Sequence, residues 1–232
     1  MTFAARDPRR PTPECPDSGI PAGSVPPRPA PPVLAGLSIV LPCLHGQDTI
    51  GDAVRAATRA GDRVADEHEI IVVNDGSSDA TATVAAALVG WDRRVRLLIH
   101  PRIRGYGDAV RSGIGAARMP WVFLTDPSRF DVDALDSFLP LAPDADLVID
   151  DAVTLIRRET LQGLLLEDRG TTVVTELRVK AAAGGARVRA IGGAGGGNAQ
   201  HNRNTILHEA QRWLSTLPRM QQPGGRRRPD RD

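Results

Sequence analysis

Asp75 follows an unbroken run of β-branched residues, Ile70, Ile71, Val72 and Val73, with Asn74 between, and is itself followed by Gly76, Ser77, Ser78 and Asp79. Such a run is what a parallel strand covered on both faces requires. In open α/β sheets ligands bind at the carboxyl edge of the strands, where loops are free to vary while the strands hold them in place. A carboxylate at that edge can accept hydrogen bonds from a nucleobase or a ribose. The competing reading is a plain turn over Asn74, Asp75 and Gly76, with Ser78 or Asp79 capping the next helix. Gly105, Tyr106 and Gly107 make a second feature of this kind. Glycine permits positive φ and close approach of backbone to a ligand, or else simply serves a strand-to-helix turn.

Only a sheet can bring two such loops to one edge, and the hydrophobic pattern supplies one. Apolar runs predict strands over 37–41, 69–73, 95–99, 121–125 and 146–149. Between them, helical spacing predicts helices over 49–59, 79–89, 106–118 and 132–139. This alternation implies an α/β fold, a doubly wound and mostly parallel sheet with right-handed crossovers and helices on both faces.

The rest of the chain narrows the classes. Its 232 residues suffice for one sizeable core, so a single domain with tails is expected. The net charge of +1 gives no field that points to nucleic acid. Two cysteines, Cys15 and Cys43, cannot build a disulfide framework, which fits a reducing, cytoplasmic compartment. No apolar run reaches the roughly 20 residues of a membrane span, so any membrane contact is expected to be peripheral. Residues 1–36 hold 10 of the 19 prolines and are expected to be a disordered tail, as are residues 218–232 with their arginine run. The globular domain is therefore expected over 37–217. The proline-rich stretch 26–32 reads as a linker, and the glycine-rich stretch from Gly192 as a loop before a last helix.

Four segments, LSIVLPCLHGQDTI, EIIVVNDGSSDAT, HPRIRGYGDAVRSGIGAA and WVFLTDPSRFD, occur in the order and spacing that resemble glycosyltransferase family 2 with the GT-A fold. The nearest likeness is to its polyprenyl (dolichyl) phosphate mannosyl- and glucosyltransferase branch. It covers about Leu37 to Asp150 and continues more weakly over Ala152 to Ile191. The resemblance implies a GDP- or UDP-hexose donor, a polyprenyl phosphate acceptor at a membrane surface, and inverting transfer. It puts Pro42 and the residues after it, Leu44 among them, in the loop that contacts the base, and Asp75 at the acid that recognises the nucleoside. Gly105 and Gly107 fall on the turn that lets backbone approach the nucleotide, a motif that Arg111 and Gly113 continue. Asp126 falls on the first acid of an Asp-x-Asp motif that holds Mg²⁺ or Mn²⁺ against the diphosphate, where hard cations favour oxygen ligands. Glu176 falls on the acid of a Thr-Glu-Leu helix. There it implies a general base, or, with an acceptor that is already anionic, a group ordering the acceptor site. A surface acid paired with Lys180 four residues on is the alternative.

The chain also departs from the pattern. Ser128 stands where the second acid of Asp-x-Asp belongs, with Asp131 a substitute carboxylate or a helix cap. Leu44, His45 and Gly46 replace the usual Asn-Glu, and the acceptor region is shortened near residue 150. A noncatalytic relative that binds nucleotide or a protein partner without turnover is therefore the alternative to an active transferase. A dinucleotide-dependent oxidoreductase is disfavoured, because its glycine fingerprint follows the first strand, whereas Gly105-Tyr106-Gly107 follows the third.

Overall fold

Strand β1, Leu34–Cys43, is buried at every position but Ala35, and its neighbour β2, Ala65–Asn74, is buried from His68 onward. The computed structural model describes residues 34–130, 132–150 and 153–191, all within one compact unit. The expected tails, the proline-rich linker, the glycine-rich loop and Asp131 lie outside these residues, apart from 34–36, which open β1 three positions before the anticipated boundary.

β3 (Val95–Ile99), β4 (Trp121–Leu124), β5 (Leu147–Ile149), β6 (Thr154–Arg157) and β7 (Val188–Ala190) complete a seven-stranded sheet in the order β3-β2-β1-β4-β6-β5-β7. β1 is parallel to β2 and β4, and β2 to β3, so that Ile39 sits beside both Ile70 and Phe123. β6 runs antiparallel between β4 and β5. The expectation of a mostly parallel sheet holds, with β6 as an antiparallel insertion that the pattern reading missed. Four residues are too few to register alternation. Between β5 and β6, Asp150 N donates to Val153 O at 3.1 Å.

Side chains alternate between the two faces with period two. Ile39, Leu41, Ile70, Val72 and Phe123 face one core, covered by α1 (Ile50–Val64), α2 (Thr81–Trp91) and α4 (Val132–Phe138). Val40, Ile71, Val73, Val122 and Leu124 face the other, covered by α3 (Tyr106–Ala116) and α6 (Val173–Ala183). A one-turn helix, α5 (Arg158–Leu161), follows β6. Phe138 meets Phe123 edge to face at 5.8 Å, seating α4 on the sheet.

Midway along β2 a buried acid ties the strand to its neighbours. Glu69 accepts from Ser38 Oγ at 2.8 Å, from Arg118 N at 2.7 Å and from Arg96 Nη1 at 2.7 Å. Burial works against its charge, but these bonds win and hold its carboxyl below the ordinary range. Among the described residues no helix is long and apolar enough to cross a membrane.

Candidate functional site

Parallel β1, β2 and β4 release three loops side by side at their carboxyl edge, on either side of the point where the strand order reverses about β1. The loop after β1 is laced to the loop after β2. His45 N donates to Ser77 Oγ at 3.0 Å, Gly46 N to Thr81 Oγ1 at 2.9 Å, and Ala80 N to Gln47 Oε1 at 3.0 Å. Asp79 accepts from Thr81 N at 3.1 Å, at the first residue of α2, so the polar string after Asp75 serves as both helix start and lacing. His45 is held at φ 53°, the left-handed region that few side chains adopt without support.

Between these loops, the start of α3 and the turn after β4 lies a cleft of about 390 Å³. Of the positions anticipated from sequence, Pro42, Leu44, Asp75, Gly105 and Asp126 line it together. Gly107 and Glu176 do not. Cys43 and Tyr106, which belong to the anticipated loop and turn, line it too, as do Thr49 and Ala109, for which no role was expected.

Asp75 is 2% exposed and has its own cage. Its Oδ1 accepts from His100 Nδ1 at 2.6 Å and from Arg104 N at 3.0 Å, and its Oδ2 accepts from Gly105 N at 2.8 Å. Among the described residues no Lys or Arg pairs with it; imidazole and loop amides stabilise the carboxylate instead. His100 Nε2 lies 2.9 Å from Ser112 Oγ, which fixes the ring between β3 and α3. The array has the residue order of a catalytic triad, but Ser112 is not part of the cleft wall. Its work is positional. The residue legible from sequence is Asp75, and the missed one is His100. The signal lay in register: Asn74 pairs with Ile99, so Asp75 and His100 are the next positions along two parallel neighbours.

Gly105 and Gly107 were expected to admit a nucleotide. At Gly107 a Cβ would meet Asp168 O and lie 2.7 Å from Arg169 Cα. The close approach is by the chain's own 168–169 backbone, which also accepts from Gly107 N through Arg169 O at 2.9 Å. Gly105 meets the same carbonyl on one side and the cleft on the other, at φ 102°. Arg111 Nη1 donates to Asp168 O on this segment as well.

Glu176, anticipated as catalytic, is 1% exposed and holds that segment from behind. It accepts from Glu167 N at 3.0 and 3.1 Å on its two oxygens, from Asp168 N at 2.9 Å and from Lys180 Nζ at 2.7 Å. The ion pair with Lys180 is therefore formed, but at a buried acid rather than on the surface.

Asp126 Oδ1 accepts both Ser128 N at 2.8 Å and Ser128 Oγ at 2.6 Å, making the turn Pro127–Arg129. Among the described residues Oδ2 has no hydrogen-bond partner. Among the described residues no group of three or more His, Cys, Asp or Glu side chains converges as a metal site. One carboxylate oxygen is too small a donor set for a hard divalent cation unless a diphosphate brings the remaining oxygens. The Tyr106 phenol is pushed up by burial and then by the Asp126 charge. Burial, followed by Asp79 and Asp126, pushes the Cys43 thiol up to about 11, which keeps it protonated and unreactive at neutral pH.

Residues 38–128 match the family model described as Glycosyl transferase family 2. The succinoglycan biosynthesis protein ExoO of Rhizobium meliloti (strain 1021) is 40% identical over 91 residues, which are 39% of this chain and 24% of ExoO. The chain spans between 24% and 35% of the length of the curated relatives it matches. In fold it is similar to the mannosyltransferase PcManGT from Pyrobaculum calidifontis, solved with GDP-Man and Mn²⁺, at a TM-score of 0.55 and 16% identity, covering 80% of this chain and 64% of that one. It is likewise similar to glucosyl-3-phosphoglycerate synthase from Mycobacterium tuberculosis, solved with Mn²⁺, UDP and phosphoglyceric acid, at 0.53 and 19%, covering 82% and 80%. The fold is GT-A.

Proposed function

We propose that this chain, which carries a glycosyl transferase family 2 segment over residues 38–128 on a GT-A fold, binds a nucleotide sugar in the cleft and transfers the sugar with inversion to a polyprenyl phosphate. The observation that carries the reading is the meeting of Pro42, Leu44, Asp75, Gly105 and Asp126, from four separate segments, in one cavity at the sheet's switch point. Asp75 accepts from the base, and Pro42 and Leu44 offer apolar surface to its face. Asp126 Oδ2 faces the diphosphate and would hold Mg²⁺ or Mn²⁺ there. Such an ion neutralises charge on the departing nucleotide. The acceptor's phosphate oxygen bonds to the anomeric carbon as the bond from that carbon to the diphosphate oxygen breaks. An ionised phosphate needs no proton removed, so Glu176 has no base to provide. It positions the 167–169 segment against α3 instead.

The second reading, binding without turnover, is favoured by one observation: Ser128, in place of a second acid, occupies Asp126 Oδ1. Calorimetric titration with UDP and GDP, with and without Mn²⁺, followed by a transfer assay with a short polyprenyl phosphate, separates the two. Mn²⁺-dependent binding with transfer supports the enzyme, and binding without transfer supports the alternative. Absence of nucleotide binding at millimolar concentration would defeat both.

A further inference from the structure

We propose that the donor's nucleoside is uridine rather than guanosine, because the cage that the described residues build around Asp75 leaves its carboxylate one acceptor position and not two. The inference rests on Asp75 being the base contact of the proposed donor site. An ionised carboxylate has about four acceptor positions, two on each oxygen. His100 Nδ1 and Arg104 N occupy both on Oδ1, and Gly105 N occupies one on Oδ2. The imidazole is decisive, since the two amides alone would leave one position free on each oxygen.

A base is read by what its edge donates. Guanine presents two parallel donors, N1–H and the exocyclic N2–H, which match a carboxylate when each oxygen takes one of them, in the manner of an arginine fork. Uracil presents a single donor, N3–H, between two carbonyls. One open position on Oδ2 satisfies uracil and leaves a guanine donor facing an oxygen already filled. An unsatisfied donor carried into a closed site forfeits its hydration without return. The fold itself leaves the choice open, because similar structures hold GDP-Man in one case and UDP in another. The residue that decides is His100. It is 6% exposed, seated by Ser112 Oγ at 2.9 Å and by its own N–H donating to Asn74 O at 2.9 Å, so the ring has no room to withdraw.

The test is calorimetric titration of the full chain, with Mn²⁺, against UDP, GDP and N3-methyl-UDP. The ribose and diphosphate are common to all three, so differences report the base. UDP is expected to bind at least about tenfold more tightly than GDP, the effect of one unsatisfied buried donor. N3-methylation, which removes the donated hydrogen, is expected to cost UDP a similar factor. GDP binding as tightly as UDP overturns the inference while leaving the donor site intact. Equal binding of UDP and N3-methyl-UDP overturns the base contact from which both the inference and the donor site reading start. His100→Asn, too short to reach Oδ1, is expected to bring the UDP to GDP ratio toward one. An unchanged ratio in a variant whose melting curve shows it folded removes His100 from the argument. If that variant does not fold, the three-nucleotide comparison on the unaltered chain still decides.

Discussion

Two buried carboxylates hold the segments packed about the start of α3, and of the two only Asp75 lines the cleft. Asp75, at the end of β2, gathers the amides of Arg104 and Gly105; Glu176, on α6, gathers those of Glu167 and Asp168. The two braced segments then meet where Arg169 O accepts from Gly107 N at 2.9 Å. Glu176 has its remaining acceptor capacity taken by Lys180 at 2.7 Å, whereas Asp75 has an imidazole at 2.6 Å and keeps one position open beside the cavity. A buried acid satisfied on all sides is a structural clasp. One left a single acceptor short, at a cavity wall, can take part in recognition.

Removing either acid is the most direct way to break that contrast. Asp75→Ala is expected to lower UDP affinity by roughly one to two decades, the cost of losing a charged hydrogen bond. It should also lower the melting temperature, because three donors lose their acceptor; calorimetry and a thermal melt read the two effects together. Glu176→Ala is expected to destabilise by about 3 kcal/mol, the low end for a broken buried pair, because Lys180 keeps partial solvent access. Its UDP dissociation constant should stay within about twofold of the parent, since no donor bond to the ligand is lost. A large loss of affinity in a folded Glu176→Ala protein would merge the two clasps into one site.

A smaller change probes the junction between them. Gly107→Ala puts a methyl against Asp168 O, so the 168–169 backbone has to move, at a cost of roughly 1–3 kcal/mol. Urea unfolding measures it, and a neutral result would mean the segment is not held as tightly as Glu176 implies. Ser128→Asp then sharpens the cleft's own chemistry. A second carboxylate beside Asp126 is expected to strengthen Mn²⁺-dependent UDP binding by severalfold, since ligand charge tunes cation affinity. No gain with Mn²⁺ would remove Asp126 from the cation's shell.

The smallest effect is a control far from both clasps. His68 is buried against Gly61, and burial followed by the Arg94 charge holds its imidazole below the ordinary 6.5. Above that pH both folded and unfolded chains keep the ring neutral and stability is unaffected. As pH falls below 6.5 the unfolded chain takes up the proton first, so stability declines toward the lower folded value. His68→Gln should flatten this decline in thermal melts between neutral and mildly acidic pH without altering UDP affinity.

Much of the cleft was legible in the sequence. Asp75 was readable because a strand buried on both faces has to end somewhere, and an acid directly beyond it stands at the ligand edge. Pro42, Leu44 and Asp126 were named by the resemblance to glycosyltransferase family 2, and the structure places them in the same cleft, after β1 and β4. Glu176 was legible as an acid on a helix with Lys180 one turn on, but its burial was not, because α6 alternates small, apolar and charged residues without a sharp apolar stripe. β6 escaped because it is short and runs against its neighbours.

Local pattern, then, was enough to set the parallel strands, the helices on both faces and the edge at which chemistry is possible, because side-chain period and strand ends are written in neighbouring residues. What only the tertiary structure decided is which partner each acid has: His100, 25 positions from Asp75, and the 168–169 backbone, whose Asp168 carbonyl is reached by Arg111 across 57. Those partners are chosen by strand register and by the path of loops, which no short window of sequence contains. They also fill acceptor positions one by one, and that filling separates an acid that binds a ligand from an acid that holds the fold.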